Sequence, residues 1–176
     1  DQNDLYEAFK SGSASIVTDE IDHFFAKGIK LKSGKTIEAD IAVAATGLER
    51  AINGEADLMV DGKPINLSDT WSYKGMMYSG IPNLINTFGY INASWTLRAD
   101  LIADFTCQVI DRMKRTNTKQ VTPVLRPCDA DMPERLWIDD FQSGYMQRGL
   151  PKFPKQGDRE PWINSQNYRL EKKTIG

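Results

Sequence analysis

At 176 residues the chain is long enough for one domain or a pair of small lobes, and a hydrophobic share of 40% supports a core of ordinary size. A net charge of −2, with both signs scattered along the chain, offers no basic field for nucleic acid, and no apolar run reaches membrane-spanning length. His23 stands alone and Cys107 and Cys128 lack CxxC spacing, which argues against a metal site needing about four clustered ligands. The cysteines read as two reduced thiols, with a disulfide between them left open.

The start, Asp1-Gln2-Asn3-Asp4, has neither an initiator methionine nor a signal peptide and soon enters a strand-like pattern. It reads as a fragment, of cytoplasmic origin, with membrane association of the parent left open. Leu5, Ala8 and Phe9 then recur at helical spacing behind Asp4 as an N-cap, and Ser11-Gly12 stops that helix. Short β-prone runs follow at Ile16–Thr18, Ile21–Phe25 and Gly28–Leu31, and a tight turn at Ser33-Gly34 leads into a further strand running to Glu38, together an antiparallel meander. His23, next to Phe24 and Phe25, reads as a partly buried structural histidine.

The run Ile41-Ala-Val-Ala-Ala45 before Thr46-Gly47 fits a strand buried on both faces, as in a parallel sheet, ending where backbone can pass close to a dinucleotide. A plain core strand with a glycine turn is the alternative. Asp61-Gly62 signals a type I′ hairpin, and Leu84 to Phe88 reads as another short buried strand. The longest helix is expected from Asn92 or Ser94 to just before Thr116, with Leu97, Leu101, Phe105 and Val109 on its apolar face. Its N-terminal N–H groups suit an electron-rich ligand edge, unless side-chain capping satisfies them. Beyond Pro123, Pro127, Pro133, Pro151, Pro154 and Pro161 suggest a long tail draped over a surface rather than a second core.

Five segments carry a family likeness in order: Ala39–Gly47 (ADIAVAATG), Tyr73–Met77 (YKGMM), Gly80–Asn83 (GIPN), Gly89–Thr96 (GYINASWT) and Pro154–Gly157 (PKQG). Together they resemble the flavin-containing Baeyer-Villiger monooxygenases, most closely the ethionamide-activating branch. The resemblance implies an α/β fold: the carboxy-terminal part of a Rossmann-like flavoprotein with two dinucleotide-binding domains, incomplete by itself, with a small meander and one long helix. Residues 1–47 would end the NADPH-binding domain, 48–122 would return to the FAD-binding domain, and 123–176 would form the tail.

The resemblance further implies FAD and NADPH as cofactors and a flavin C4a-peroxide that oxygenates a ketone, sulfide or amine. Thr46, Gly47, Asn83, Gly89, Tyr90, Asn92, Ser94 and Trp95 would meet the cofactor, and Met76, Met77 and Tyr78 would approach the substrate pocket. A Met-Met-aromatic run also suits ordinary core.

Several family features are missing. No GxGxxG fingerprint is present. No arginine matches the family's catalytic one, and Arg50 and Arg98 read as solvated surface charges. The chain is therefore expected to be inactive without the amino-terminal half. Surfaces around 41–47 and 71–95 are expected to be exposed and to promote self-association. A disulfide oxidoreductase would need a redox CxxC, which is absent. A non-catalytic docking domain is the alternative from a different class.

Overall fold

The computed structural model describes residues 3–48, 52–139 and 143–175. Contacts divide the chain into two units, 1–46 and 47–176.

In the first unit local pairing dominates. Helix α1 (Asp4–Lys10) forms where the apolar spacing predicts it, although Asn3 rather than Asp4 stands at its N-cap and makes no side-chain capping bond. Strands β1 (Ile21–Phe25), β2 (Gly28–Leu31) and β3 (Thr36–Glu38) build the expected antiparallel meander in the order β1-β2-β3, with Ile29 opposite both Phe24 and Ile37.

Three expectations in this unit are corrected. Ile16–Thr18 and residues 41–46 form no strand. A parallel strand is stable only beside ladder neighbours that cover it on both sides. Among the described residues none pairs with this run, and Ile41 and Val43 stand 81% and 84% exposed. His23 is also exposed, because β1 is uncovered along its whole length. Its Nδ1 lies 3.0 Å from Asp22 Oδ2.

The second unit is built by long-range ties. The Asp61-Gly62 turn adopts positive φ at both residues (50° and 76°) and joins β4 (Met59–Val60) to β5 (Lys63–Pro64), as a type I′ hairpin requires. A second hairpin pairs β6 (Ser72–Tyr73) with β7 (Met77–Tyr78). Residues 84–88 run outside any strand ladder, contrary to expectation, yet Phe88 is buried.

The long helix α2 (Trp95–Thr116) begins after Ser94 in extended conformation and ends at Asn117, whose left-handed backbone (φ 53°) returns its N–H to the last turn. Lys114 and Arg115 in that turn complement the helix dipole. Short helices α3 (Gly144–Gly149) and α4 (Tyr168–Thr174) follow.

The proline-rich segment is no surface drape. Trp137, Ile138, Met146, Leu150 and Phe153 form one core cluster around Phe88. Ile175 joins Met76, Met77, Leu101 and Ile102 in the other. Proline disfavours helix interiors and central strands but does not stop aromatic side chains from anchoring irregular backbone. Buried polar side chains then satisfy that backbone. The Asn164 amide donates to the Trp137 carbonyl at 3.0 Å, and Gln156 Oε1 accepts from the Asn164 N–H at 2.9 Å. The chain also returns along residues 70–72, with Ser72 N–H to Lys155 O and Lys155 N–H to Thr70 O, both 2.8 Å.

Candidate functional site

Within the second unit a cleft of about 140 Å³ is lined by Tyr78, Asn86, Phe88, Trp95 and Phe153, together with Ile52, Asn53 and Thr87. It brings together Tyr78 and Trp95, one from each of two predicted groups. The hairpin β6–β7 supplies Tyr78, and the irregular run leading from residue 84 into α2 supplies Phe88 and Trp95. Tyr78 is buried and its hydroxyl accepts a 2.7 Å bond from the Asn86 amide. Burial pushes this phenol up to about 12, with the Asn86 bond opposing, so it stays protonated at neutral pH.

Trp95 lines the cleft with its indole. Its ring is tilted against Phe88 with centroids 5.0 Å apart, and the side chain remains 51% exposed. A Cβ on Gly89 would overlap the Trp95 ring, so only glycine lets the indole lie this close to the backbone. The Ser94 hydroxyl is 2.7 Å from that of Thr96 and caps no backbone N–H. No acidic residue occupies the first turn of α2. The helix therefore presents N–H groups without side-chain caps beside exposed Asn92 and Ser94.

Other predicted site residues lie elsewhere. Met76 and Met77 are buried in a core cluster and do not line the cleft. Asn83 spends its amide on the segment after α2, donating to Lys119 O at 3.2 Å and accepting from Val121 N–H at 3.0 Å. Thr46 ends the first unit and Gly47 begins the second, both exposed, with Gly47 at φ 84°. Of the surface expected to be exposed over 71–95, residues 71–91 are mostly buried or half-buried, covered by residues 101–102 and 137–175, while residues 92–95 are exposed as expected. Arg50 lies outside the described residues.

Behind the cleft is a polar node that the sequence reading missed. Arg98, read as a surface charge, is 0% exposed. Its Nε and Nη2 donate to the two Glu171 carboxylate oxygens at 3.0 and 3.1 Å. Nη2 also reaches Lys74 O at 3.1 Å and Nη1 reaches Phe88 O at 3.3 Å. Glu171 further accepts from the Tyr90 hydroxyl at 2.6 Å and the Ser165 hydroxyl at 2.8 Å. Burial lowers the Arg98 pKa while the facing carboxylate works against that shift. Burial first, and then the Glu171 bond, raise the Tyr90 phenol. The signal was present in the pattern: Arg98 precedes Leu101, Ile102 and Phe105 by three, four and seven residues, on the apolar face of α2.

A second buried node, Asp129, accepts from Arg126 Nε and Nη2 (3.0 and 2.9 Å) and from Trp162 Nε1 (3.0 Å). Those bonds hold its carboxyl well below the usual carboxylate range. Among the described residues no group of three or more His, Cys, Asp or Glu could hold a metal ion, and no helix is long and apolar enough to cross a membrane.

By sequence, the chain is homologous across almost its whole length to proteins named FAD-containing monooxygenases. It is 45% identical over 165 residues to the FAD-containing monooxygenase EthA of Mycobacterium tuberculosis (strain ATCC 25618 / H37Rv), covering 94% of this chain and 33% of the relative. Over 172 residues it is 43% identical to EthA of Mycolicibacterium smegmatis and 41% identical to the probable FAD-binding monooxygenase AlmA of Acinetobacter sp., in each case covering 98% of this chain and 34% of the relative. The chain thus spans about a third of the length of the curated relatives it matches. No protein-family model and no solved structure matches it.

Proposed function

We propose that the chain is part of an FAD- and NADPH-dependent monooxygenase of the Baeyer-Villiger type, acting on a ketone or on the sulfur or nitrogen of a small molecule. The observation that carries this reading is 41–45% identity over 94–98% of the chain to FAD-containing monooxygenases. Bound FAD, reduced by NADPH, would supply the oxygen chemistry.

The chain's own residues would bind and orient. The N–H groups opening α2 suit the electron-rich pyrimidine edge of a flavin, since neither Ser94 nor an acidic side chain competes for them. Asn92, Ser94 and Trp95 are exposed for that contact, and Gly89 keeps the backbone thin beneath the indole. Tyr90 would act from behind through Glu171. Tyr78 would face substrate as a neutral hydroxyl, with Met76 and Met77 supporting it from the core. Thr46 and Gly47 would carry the chain between an NADPH-binding and an FAD-binding domain of Rossmann type.

Co-expression with the remaining portion of a matching relative tests the reading. The expected complex shows flavin absorbance bands and oxidises NADPH faster when a ketone or sulfide is added, while the chain alone does neither. A stable complex that holds no flavin would refute the reading and leave a docking domain.

A further inference from the structure

We infer that Arg98 and Glu171 are positioning residues: a buried strut that sets the distance between the two walls of the Tyr78–Trp95 cleft and makes α4 part of the site's support. The inference rests on the proposed function for what the cleft holds, but its geometry stands independently.

One guanidinium touches both walls. Through Lys74 O it holds the turn of the β6–β7 hairpin, which carries Tyr78. Through Phe88 O it holds the segment that leads into Gly89 and Trp95. Two further bonds, from Nε and Nη2, go to Glu171 on α4, which is in turn gripped by Tyr90 and Ser165. The hairpin is shaped to this contact. Gly75 sits at φ 69°, and a Cβ there would overlap Arg98 Nη2 and Asn164 Oδ1, so the turn tolerates no side chain against the strut. The Ile91 N–H, donated to Gln166 Oε1 at 3.0 Å, ties the same wall to the residues just before α4.

Stability alone is a weak reason for this arrangement. Burying two charges is costly, and well-packed apolar side chains of similar volume often stabilise as well or better. What apolar side chains cannot supply is a rigid planar fork that meets two main-chain carbonyls and a carboxylate together. Orientation is what such a fork adds.

Arg98→Lys and Glu171→Gln test this, since each keeps the volume and removes the fork or the charge. In the 176-residue chain, amide hydrogen exchange at Asn86, whose N–H donates to Met76 O, and at Ile91 is expected to rise by about tenfold or more, with Ile65, just after β5 and bonded to Leu58 O, unchanged. Quenching of Trp95 by acrylamide is expected to change as well. In the flavin-loaded complex the visible flavin band is expected to shift, and KM to rise more than kcat falls. A uniform rise in exchange across the second unit, with an unaltered flavin band, would show a plain stabiliser and overturn the inference.

If neither variant folds, exchange in the unsubstituted chain decides. Asn86, Ile91 and the α4 amides opening together support the strut, and α4 opening while Asn86 and Ile91 stay protected overturns it. A wild-type complex without flavin defeats the proposed function instead, and the exchange result still decides the strut.

Discussion

In the meander of residues 21–38, each strand pairs with its nearest neighbour in sequence, and only Gly28 and Leu31 are buried. In residues 52–175 the decisive ties join distant positions: Arg98 with Glu171, Ser72 with Lys155, and Trp137 Nε1 with the Ser72 hydroxyl at 3.1 Å. The first region forms from turns and strand propensity, the second from side chains with few local alternatives. Local order survives single changes on the surface, whereas a network of buried polar groups fails when one member is removed.

The largest effect is expected where a buried charge loses its partner. Arg98→Met leaves Glu171 uncompensated and is expected to cost the second unit about 3–5 kcal/mol, read by urea denaturation. A loss no greater than that of a surface change would erase the contrast between the units. Met146→Ala, in the cluster around Phe88, is expected to cost about 2–5 kcal/mol, because the proline-rich segment is core rather than drape. A neutral result there would restore the picture of a tail.

The Asp129 node gives a pH dependence. Its carboxyl is held lower in the folded than in the unfolded chain, so its contribution is complete above the unfolded value of about 4 and is lost as pH falls further. Asp129→Asn should flatten the acid limb of the stability–pH curve, and an unchanged limb would place the acid sensitivity elsewhere. Replacing exposed Ile41 and Val43 by lysine is expected to reduce concentration-dependent association of the chain in sedimentation velocity. A wild-type chain that is monomeric at every concentration would remove that prediction. Phe24→Ser, at a side chain 63% exposed, is expected to change stability by less than about 0.5 kcal/mol, and a larger cost would reveal a covered face on β1.

Much of the local structure was legible in the sequence. The helix over 4–10, the meander, the Asp61-Gly62 hairpin and the extent of α2 follow from spacing and turn chemistry within a few residues, although neither helix forms the side-chain N-cap bond its sequence offers. The cleft was half legible: Tyr78 and Trp95 were singled out, yet Asn86, Phe88 and Phe153 complete it only because the chain folds back from residue 153. The strand over 41–45 was misread because an apolar run shows a wish for burial without showing who supplies the cover. The expectation of exposure holds at 92–95 but fails over 71–91 for the converse reason, since the cover there comes from residues 101–102 and 137–175.

The sequence by itself determined helices α1 and α2, the meander and the hairpin turn and, through five ordered motifs, the kinship with FAD-containing monooxygenases, because both are written in short runs of neighbouring residues. Only the tertiary structure decided that Arg98 is a buried strut, that His23 is exposed, and that a proline-rich segment closes the core. Each of those depends on what a side chain meets from far along the chain. Charge and hydrophobicity state what a residue needs, while packing decides whether it is met and by whom.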